Sequence, residues 1–194
     1  MRKTLLTIAS GNPKKVSEIK EMLGVLPLEV ASQPTSLNVK ETGNTYLENA
    51  ILKAKAAALK TETWTIADDS GLEVDYLKGE PGIYSARYAK TNEDKIKKLL
   101  KKLNETPYRS ARFISEMVLC NPKGEVVTSS QGICWGEILK KPAYKDGEFE
   151  SIFWVKEANC TYGELNHSQL IKIGSRAKAA RNLAPILKRE LKIY

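Results

Sequence analysis

The chain has 194 residues and a net charge of +8, enough length for one sizeable core or two closely joined lobes. Ordinary apolar content without long single-sign charge blocks excludes a disordered chain, and no apolar run approaches the ~20 residues that span a bilayer. Three scattered cysteines, Cys120, Cys134 and Cys160, and a single histidine, His167, exclude a disulfide framework, a zinc site and a serine–histidine triad, so a reducing, cytoplasmic setting is expected.

The opening MRKTLLTIASGNPKK reads as a first strand, not a secretory leader. Residues 5–9 form its apolar run, closed by the turn Ser10-Gly11-Asn12-Pro13. Val16, Ile19, Met22 and Leu23 then share one face of a helix, with Pro13 suited to its first turn. Residues 26–30 read as a second strand, and 31–43 as a polar, irregular connection. A strong helix is predicted over 45–60, rich in Ala, Leu, Lys and Glu, with Thr45 or Asn44 as its cap and Glu48 placed for a capping box. Residues 64–67 read as a buried strand that ends at Asp68 and Asp69, and 72–77 as a separate short strand. An amphipathic helix with a basic outer face covers 92–103. Segments 112–120 and 126–138 flank Asn121-Pro122-Lys123-Gly124, a good hairpin turn. A loop over 144–150, a short strand over 152–155, His167 as a polar helix start and a basic helix over 175–191 complete the chain. Strands mixed with helices, including one hairpin, predict an α/β fold with a mixed sheet. Without repeats, linkers or a shift in composition, residues 1–194 are expected to form a single domain.

The positive charge suggests a polyanionic partner, either a nucleic acid or a triphosphate. The lysines of 95–102 and 172–192 lie on helix-like stretches, where a solvated face is the simpler reading, and the chain carries no recognised nucleic-acid motif. Three stretches carry candidate chemistry. Ser10-Gly11-Asn12-Pro13-Lys14-Lys15 joins a strand to a helix, where amide groups and the helix dipole can hold phosphate; it is equally an ordinary turn. Glu41 to Ala50 contains the helix start, which accounts for Thr45 and Glu48 but leaves Glu41 and Lys53 unexplained. Asp68-Asp69-Ser70-Gly71 puts carboxylates at the carboxyl edge of a sheet, as Mg²⁺ requires, or forms an Asx-type turn. If the strand persists, adjacent side chains face opposite ways, so the two acids cannot share one job. Taken together, phosphate donors, Glu41 and Asp69 are the set that a triphosphate with Mg²⁺ needs.

Three blocks then carry a likeness to a known family: SGNPKKVSE (10–18), ETGNTYLENAILKAKA (41–56) and ADDSGLEVDYLKGEPGIYSARYA (67–89), with a weaker match ending in GSRAKA (174–179). The sequence resembles the inosine triphosphate pyrophosphatases, which hydrolyse deaminated purine nucleoside triphosphates (ITP, dITP, XTP) to the monophosphate and pyrophosphate. The resemblance implies an elongated, two-lobed mixed β-sheet flanked by helices with a central substrate cleft, Mg²⁺ as cofactor, and a homodimer without membrane or nucleic-acid attachment. It implies that Ser10, Asn12 and Lys15 grip phosphate, that Glu41 and Asp69 hold the metal, and that Asp69 is the catalytic base. It further assigns Ser70 to the substrate, Lys53 to the phosphates and Arg176 to the nucleotide; Asp68, facing away from Asp69, is read as a brace or an acid behind the site.

The match breaks on the base side. The family's Phe-Gly-Tyr-Asp-Pro falls on Glu148-Phe149-Glu150-Ser151, and its Ser-His-Arg on Gly174-Ser175-Arg176; a lysine expected nearby aligns with Leu170, with Lys172 close. Phe149 and Glu150 keep an aromatic and an acid, and Phe149 is the candidate for stacking on a base; Trp135 and Trp154, at strand-like positions, read as core. The expectation is a pyrophosphatase with relaxed or altered base preference. The alternatives are a nucleotide-binding relative with little turnover and a pyrophosphatase of a different nucleotide.

Overall fold

The computed structural model describes residues 4–24 and 26–193; residues 1–3 of the opening stretch lie outside the described residues. Seven strands, β1 (Thr4–Ala9), β2 (Leu28–Ser32), β3 (Trp64–Val74), β4 (Ser110–Cys120), β5 (Val126–Ile138), β6 (Phe153–Val155) and β7 (Cys160–Thr161), form a sheet in the order β2-β1-β3-β4-β5-β6-β7. β1 pairs parallel with both β2 and β3, and β6 pairs antiparallel with β5 and β7. The sheet is therefore mixed, as expected. The parallel pairs need crossovers, supplied by helices α1 (Pro13–Leu23) and α2 (Tyr46–Thr61).

The chain divides into two compact units. One takes the chain up to Asp69, Ser115–Gly132 and the chain from Arg176; the other takes Ser70–Ile114 and Ile133–Ser175. In the first unit, the alternation of strand side chains sorts apolar residues into two cores. Leu6, Ile8, Ile66, Met117 and Leu119 pack with Val16, Ile19 and Leu23 of α1 and with Ala179, Ala180, Leu183 and Leu187 of helix α5 (Ser175–Glu190). Their neighbours along the strands, Ala9, Ala67, Val118 and Cys120, pack instead with Ala50, Ala54, Ala57 and Ala58 of α2.

Two strand expectations are corrected. β3 does not stop at the acids but runs unbroken to Val74, where the turn Asp75–Leu77 ends it. Leu72 and Val74 are fully buried, which holds the ladder past Ser70-Gly71, and the charges of Asp68 and Asp69 are met in place by cations (below), so no turn is needed there. β2 begins at Leu28 rather than residue 26, because Pro27 has no N–H to donate to a ladder. The hairpin turn is as predicted: Asn121 accepts from Lys123 and Glu125 through Oδ1 and from Gly124 through its carbonyl.

In the second unit, helix α3 (Asn92–Leu103) is capped by Thr91, whose Oγ1 accepts from Asp94 N–H at 3.0 Å. Acids at its start and lysines at its end complement the helix dipole. Ile96, Leu99 and Leu103 bury themselves with Leu72, Val74, Phe149 and Phe153, and the Phe113 ring lies 4.6 Å from Phe153 and 4.8 Å from Tyr162. Lys97, Lys98, Lys101 and Lys102 are exposed, as a basic outer face predicts. Lys95 is buried, and Lys98 donates to the Tyr88 carbonyl while lying 4.0 Å over its ring. Trp135, expected in the core, is 56 % exposed with Arg112 5.2 Å from its ring. The short helix α4 (His167–Ile173) is capped by Asn166, which accepts from Gln169 N–H. Among the described residues, no helix is long and apolar enough to cross a membrane.

Phe153→Ala is expected to lower the unfolding free energy by about 3–5 kcal/mol, the usual cost of a large core cavity. Trp135→Ala should cost less than about 1 kcal/mol. Urea titrations of the two variants check the difference.

Candidate active site

At the turn after β1, the Asn12 side chain folds back over the start of α1 and accepts from Lys14 N–H at 3.0 Å and Lys15 N–H at 3.4 Å. Ser10 Oγ accepts from Asn12 N–H at 3.2 Å. Pro13 fills the first helical position, as its fixed backbone angle favours. Three of the turn's amides are thus engaged inside the turn itself. What the turn projects is the Lys15 side chain, one helical step in.

The loop before α2 is pinned to that helix. Thr45 Oγ1 accepts from Glu48 N–H at 3.1 Å, as a helix cap should, while Glu48 Oε2 reaches one residue further back, to Asn44 N–H at 2.6 Å. Gly43 N–H donates to Asn49 Oδ1 at 2.8 Å, and a Cβ at Gly43 would sit 2.6 Å from Glu48 Cβ; only glycine allows so close an approach. Pinned in this way, the loop carries Glu41 to Lys53, two turns into α2, and Lys53 Nζ donates to Glu41 Oε1 at 2.7 Å and to Asp69 Oδ1 at 3.1 Å.

Alternation along β3 parts the two acids. Asp69 follows Ala67 onto the α2 side and meets Lys53. Asp68 follows Ile66 onto the side of α1 and α5, where Lys15 Nζ lies 2.9 Å and Arg176 Nε 3.3 Å from its Oδ2. Arg176 also pairs through NH1 with Glu18 of α1. Glu18 is the participant that sequence reasoning missed. It lies in the quoted first block, but a glutamate on a helix carries no signal that an arginine 158 residues away will meet it.

Electrostatics follow from these contacts. Burial alone would raise Asp68, but Arg176 and Lys15 outweigh it and hold the carboxyl well below its ordinary range. Asp69 behaves oppositely: burial raises it, and Lys53 and Lys15 only partly offset this while Glu41 adds to it. Burial weakens the Lys53 ammonium, yet Asp69 and Glu41 more than compensate and keep it above its ordinary value. Asp69 Oδ2 is buried and accepts no hydrogen bond from the described residues.

Among the described residues no cluster of three or more His, Cys, Asp and Glu side chains gathers for a metal ion. The oxygen donors that converge are two carboxylates, Glu41 and Asp69, a number that suits Mg²⁺, which takes one or two carboxylates and completes its shell with water and phosphate. In the first unit the structure thus gathers Glu41 and Lys53 around Asp69 on one side of β3 and Lys15 and Arg176 around Asp68 on the other, with Ser10 and Asn12 in the turn before Lys15. Ser70, Phe149 and Glu150 belong to the second. Phe149 is 5 % exposed and packed among core side chains, its ring 6.1 Å from Tyr88; this is a core position, not an open stacking platform.

A family model described as the Ham1 family matches residues 6–186. Curated relatives named dITP/XTP pyrophosphatase include one from Synechocystis, 41 % identical over 92 % of this chain and 92 % of its own length. Another, from Synechococcus, is 40 % identical over 98 % of this chain and 93 % of its own. Among solved structures, the Ham1 protein of Staphylococcus aureus aligns with a TM-score of 0.84 at 38 % identity, covering 96 % of this chain and all of the other. A HAM1 protein from Coxiella burnetii aligns at 0.86 and 32 % identity, covering 96 % and 99 %.

Because the folded state holds Asp68 below its ordinary value of 3.8, its ion pairs stabilise the fold above that pH, and the stabilisation is lost as pH falls below it. In metal-free protein, Asp68→Asn is expected to cost about 2 kcal/mol at pH 6. The gap to wild type should shrink steadily from pH 4 downward. Urea titrations between pH 3 and 6 read both effects; a gap independent of pH would count against the ion pairs as its source.

Proposed function

The chain belongs to the Ham1 family, and on that premise we propose that it hydrolyses deaminated purine nucleoside triphosphates (ITP, dITP and XTP) to the monophosphate and pyrophosphate. The observation that carries the reading is Lys53 bridging Glu41 and Asp69, at 2.7 and 3.1 Å. A buried carboxylate held in place by a lysine beside a second carboxylate suits a base that activates water. Near-full-length relatives named as pyrophosphatases support the same reading.

Glu41 and Asp69 would hold Mg²⁺, and the donor set fits it: two hard oxygen ligands, one of them Asp69, whose Oδ2 is buried without a hydrogen bond from the described residues. Charge supports the fit. Lys15, Lys53 and Arg176 face Glu18, Glu41, Asp68 and Asp69, three cations against four carboxylates. A triphosphate adds still more negative charge. When bound, the ion supplies charge neutralisation at the phosphate oxygens.

The chain's own residues do the rest. Asp69 orients a water for in-line attack on the α-phosphorus and takes its proton, and pyrophosphate leaves. Lys53 holds Asp69 in place and, with Lys15, stabilises charge on the phosphoryl oxygens, the main work in this chemistry. Lys15 does so by exchanging the Asp68 carboxylate for a phosphate oxygen. Ser10 and Asn12 shape the turn beside it, and Ser70, Glu150 and Arg176 contact the nucleotide. The functional unit is the single domain over residues 1–194, acting as a homodimer in the cytoplasm.

A relaxed base preference accompanies this chemistry. The family's histidine is replaced within Gly174-Ser175-Arg176, and Phe149, the aromatic expected to stack on the base, is buried in a core. The 6-keto oxygen tells ITP and XTP from ATP, and leaving it without matched donors costs about 1–3 kcal/mol, so ITP and XTP are expected to exceed ATP in kcat/KM by tens rather than hundreds.

Incubation with ITP and Mg²⁺ is expected to yield the monophosphate and pyrophosphate; diphosphate and phosphate would overturn the reading. Asp69→Asn should lower kcat at least about 100-fold, the scale of a lost general base, while nucleotide binding persists. Turnover unaffected by this change would remove Asp69 from the mechanism. A kcat/KM panel over ITP, XTP, dITP, ATP, GTP, dUTP and the pyrimidine triphosphates measures base preference.

A further inference from the structure

In the second unit, the loop between β5 and β6 closes on itself. Leu139 N–H donates to the Ile152 carbonyl at 2.7 Å and Ala143 N–H to the Ser151 carbonyl at 2.9 Å, so the two arms of the loop run together. Asp146 turns the chain back between them with a φ of 59°. Tyr144 and Glu150 are neighbours of that second bond, one on each arm. Both pack onto Gly163: a Cβ there would sit 1.8 Å from the Tyr144 phenol oxygen and 2.8 Å from Glu150 Cγ. A Cβ at Gly147 would likewise sit 2.8 Å from Tyr144 Cε2. Two positions without side chains thus make the seat of Tyr144, and they place its hydroxyl beside Glu150.

The two side chains have complementary hydrogen-bonding character. Burial, and then the carboxylates of Glu150 and Glu164, raise the phenol above its ordinary value of 10.0, so it keeps its proton at neutral pH and can donate. Glu164 is committed to its own turn, where Oε2 accepts from Thr161 N–H at 2.9 Å and from Thr161 Oγ1 at 2.6 Å. The half-buried Tyr144 hydroxyl and Glu150 carboxylate make no hydrogen bond or ion pair with the described residues. A carboxylate only accepts. One donor and one acceptor, side by side, match the edge of a 6-keto purine, where O6 accepts and the adjoining N1–H donates. Adenine presents the reverse, a donating 6-amino group beside an accepting N1. Its N1 lone pair would face a carboxylate and be repelled.

We propose that Tyr144 is a specificity-determining residue: its hydroxyl donates to the 6-keto oxygen of the base while the Glu150 carboxylate beside it accepts from N1–H. This inference rests on the pyrophosphatase reading for the placement of the base against Glu150, not for the pairing of Tyr144 with Glu150. The preference for ITP over ATP that survives the missing histidine then has its source in this loop. Guanine carries the same O6 and N1–H, so the pair separates 6-keto from 6-amino purines and does not separate ITP from GTP.

The test is a kcat/KM panel over ITP, GTP and ATP with Mg²⁺, beside calorimetric binding of the α,β-imido analogues of ITP and ATP. Tyr144→Phe, which removes only the hydroxyl, should lower kcat/KM for ITP and GTP about tenfold, the scale of one lost hydrogen bond, and leave ATP within about twofold. The Kd values of the two analogues should follow the same pattern. Glu150→Gln, whose amide can donate to the adenine N1, should also narrow the ITP-to-ATP ratio, and it serves as the readout if Tyr144→Phe melts below the assay temperature. Gly163→Ala, which crowds the hydroxyl out of its seat, should reproduce the Tyr144→Phe pattern and add less than about twofold to it in the double variant. Equal losses on ITP and ATP, as a merely structural role would give, or an unchanged ITP-to-ATP ratio would overturn the proposal. If wild type binds the ITP analogue without hydrolysing any triphosphate, the pyrophosphatase reading falls, and the analogue Kd values still decide the role of Tyr144.

Discussion

The arrangement depends on one constraint, the alternation of side chains along an unbroken β3. Two consecutive aspartates on a strand must face opposite layers. Because the strand passes through both without a turn, Asp68 is delivered to α1 and α5 and Asp69 to α2. A turn at this point would have let both carboxylates reach the same solvent-facing edge. Continuity sends each acid into a layer with its own cations.

The two resulting clusters differ in electrostatic character. Around Asp68 the charges alternate and balance, and the carboxyl is held firmly ionised. Around Asp69 two carboxylates share the Lys53 ammonium, and burial leaves Asp69 with a raised proton affinity. One cluster is suited to holding parts of the protein in place. The other keeps a buried carboxylate beside a lysine and a second carboxylate. The same residue type, repeated once in sequence, acquires opposite properties from the layer it enters.

Much of the local structure was legible in the chain. Pro13 after Asn12, and Thr45 three residues before Glu48, mark helix starts through backbone hydrogen bonds that span only a few residues, and both caps form. The Asn121–Gly124 turn is legible for the same reason. The boundaries of β2 and β3 were less so. Pro27 displaced the first, while burial of Leu72 and Val74 in a core assembled from distant segments carried the second past a good turn sequence. Aromatic character misled at two positions, since Trp135 on β5 is exposed and Phe149, in the short helical turn Phe149–Ser151, is buried; which side chains meet a core is set by the distant elements that cover them.

Residue types, their order and the short-range caps are determined by the sequence itself. Length and charge narrow the class, three motif blocks identify the chemistry at issue, and strand periodicity already implies that Asp68 and Asp69 cannot act together. Which cation each acid meets was decided only by the tertiary structure. Lys53 reaches Glu41 across 12 residues and Asp69 across 16, and Arg176 reaches Asp68 and Glu18 across 108 and 158. Such pairings arise from the packing of helices on the two faces of a sheet, a cooperative outcome of burying many apolar side chains at once, and no local spacing encodes it.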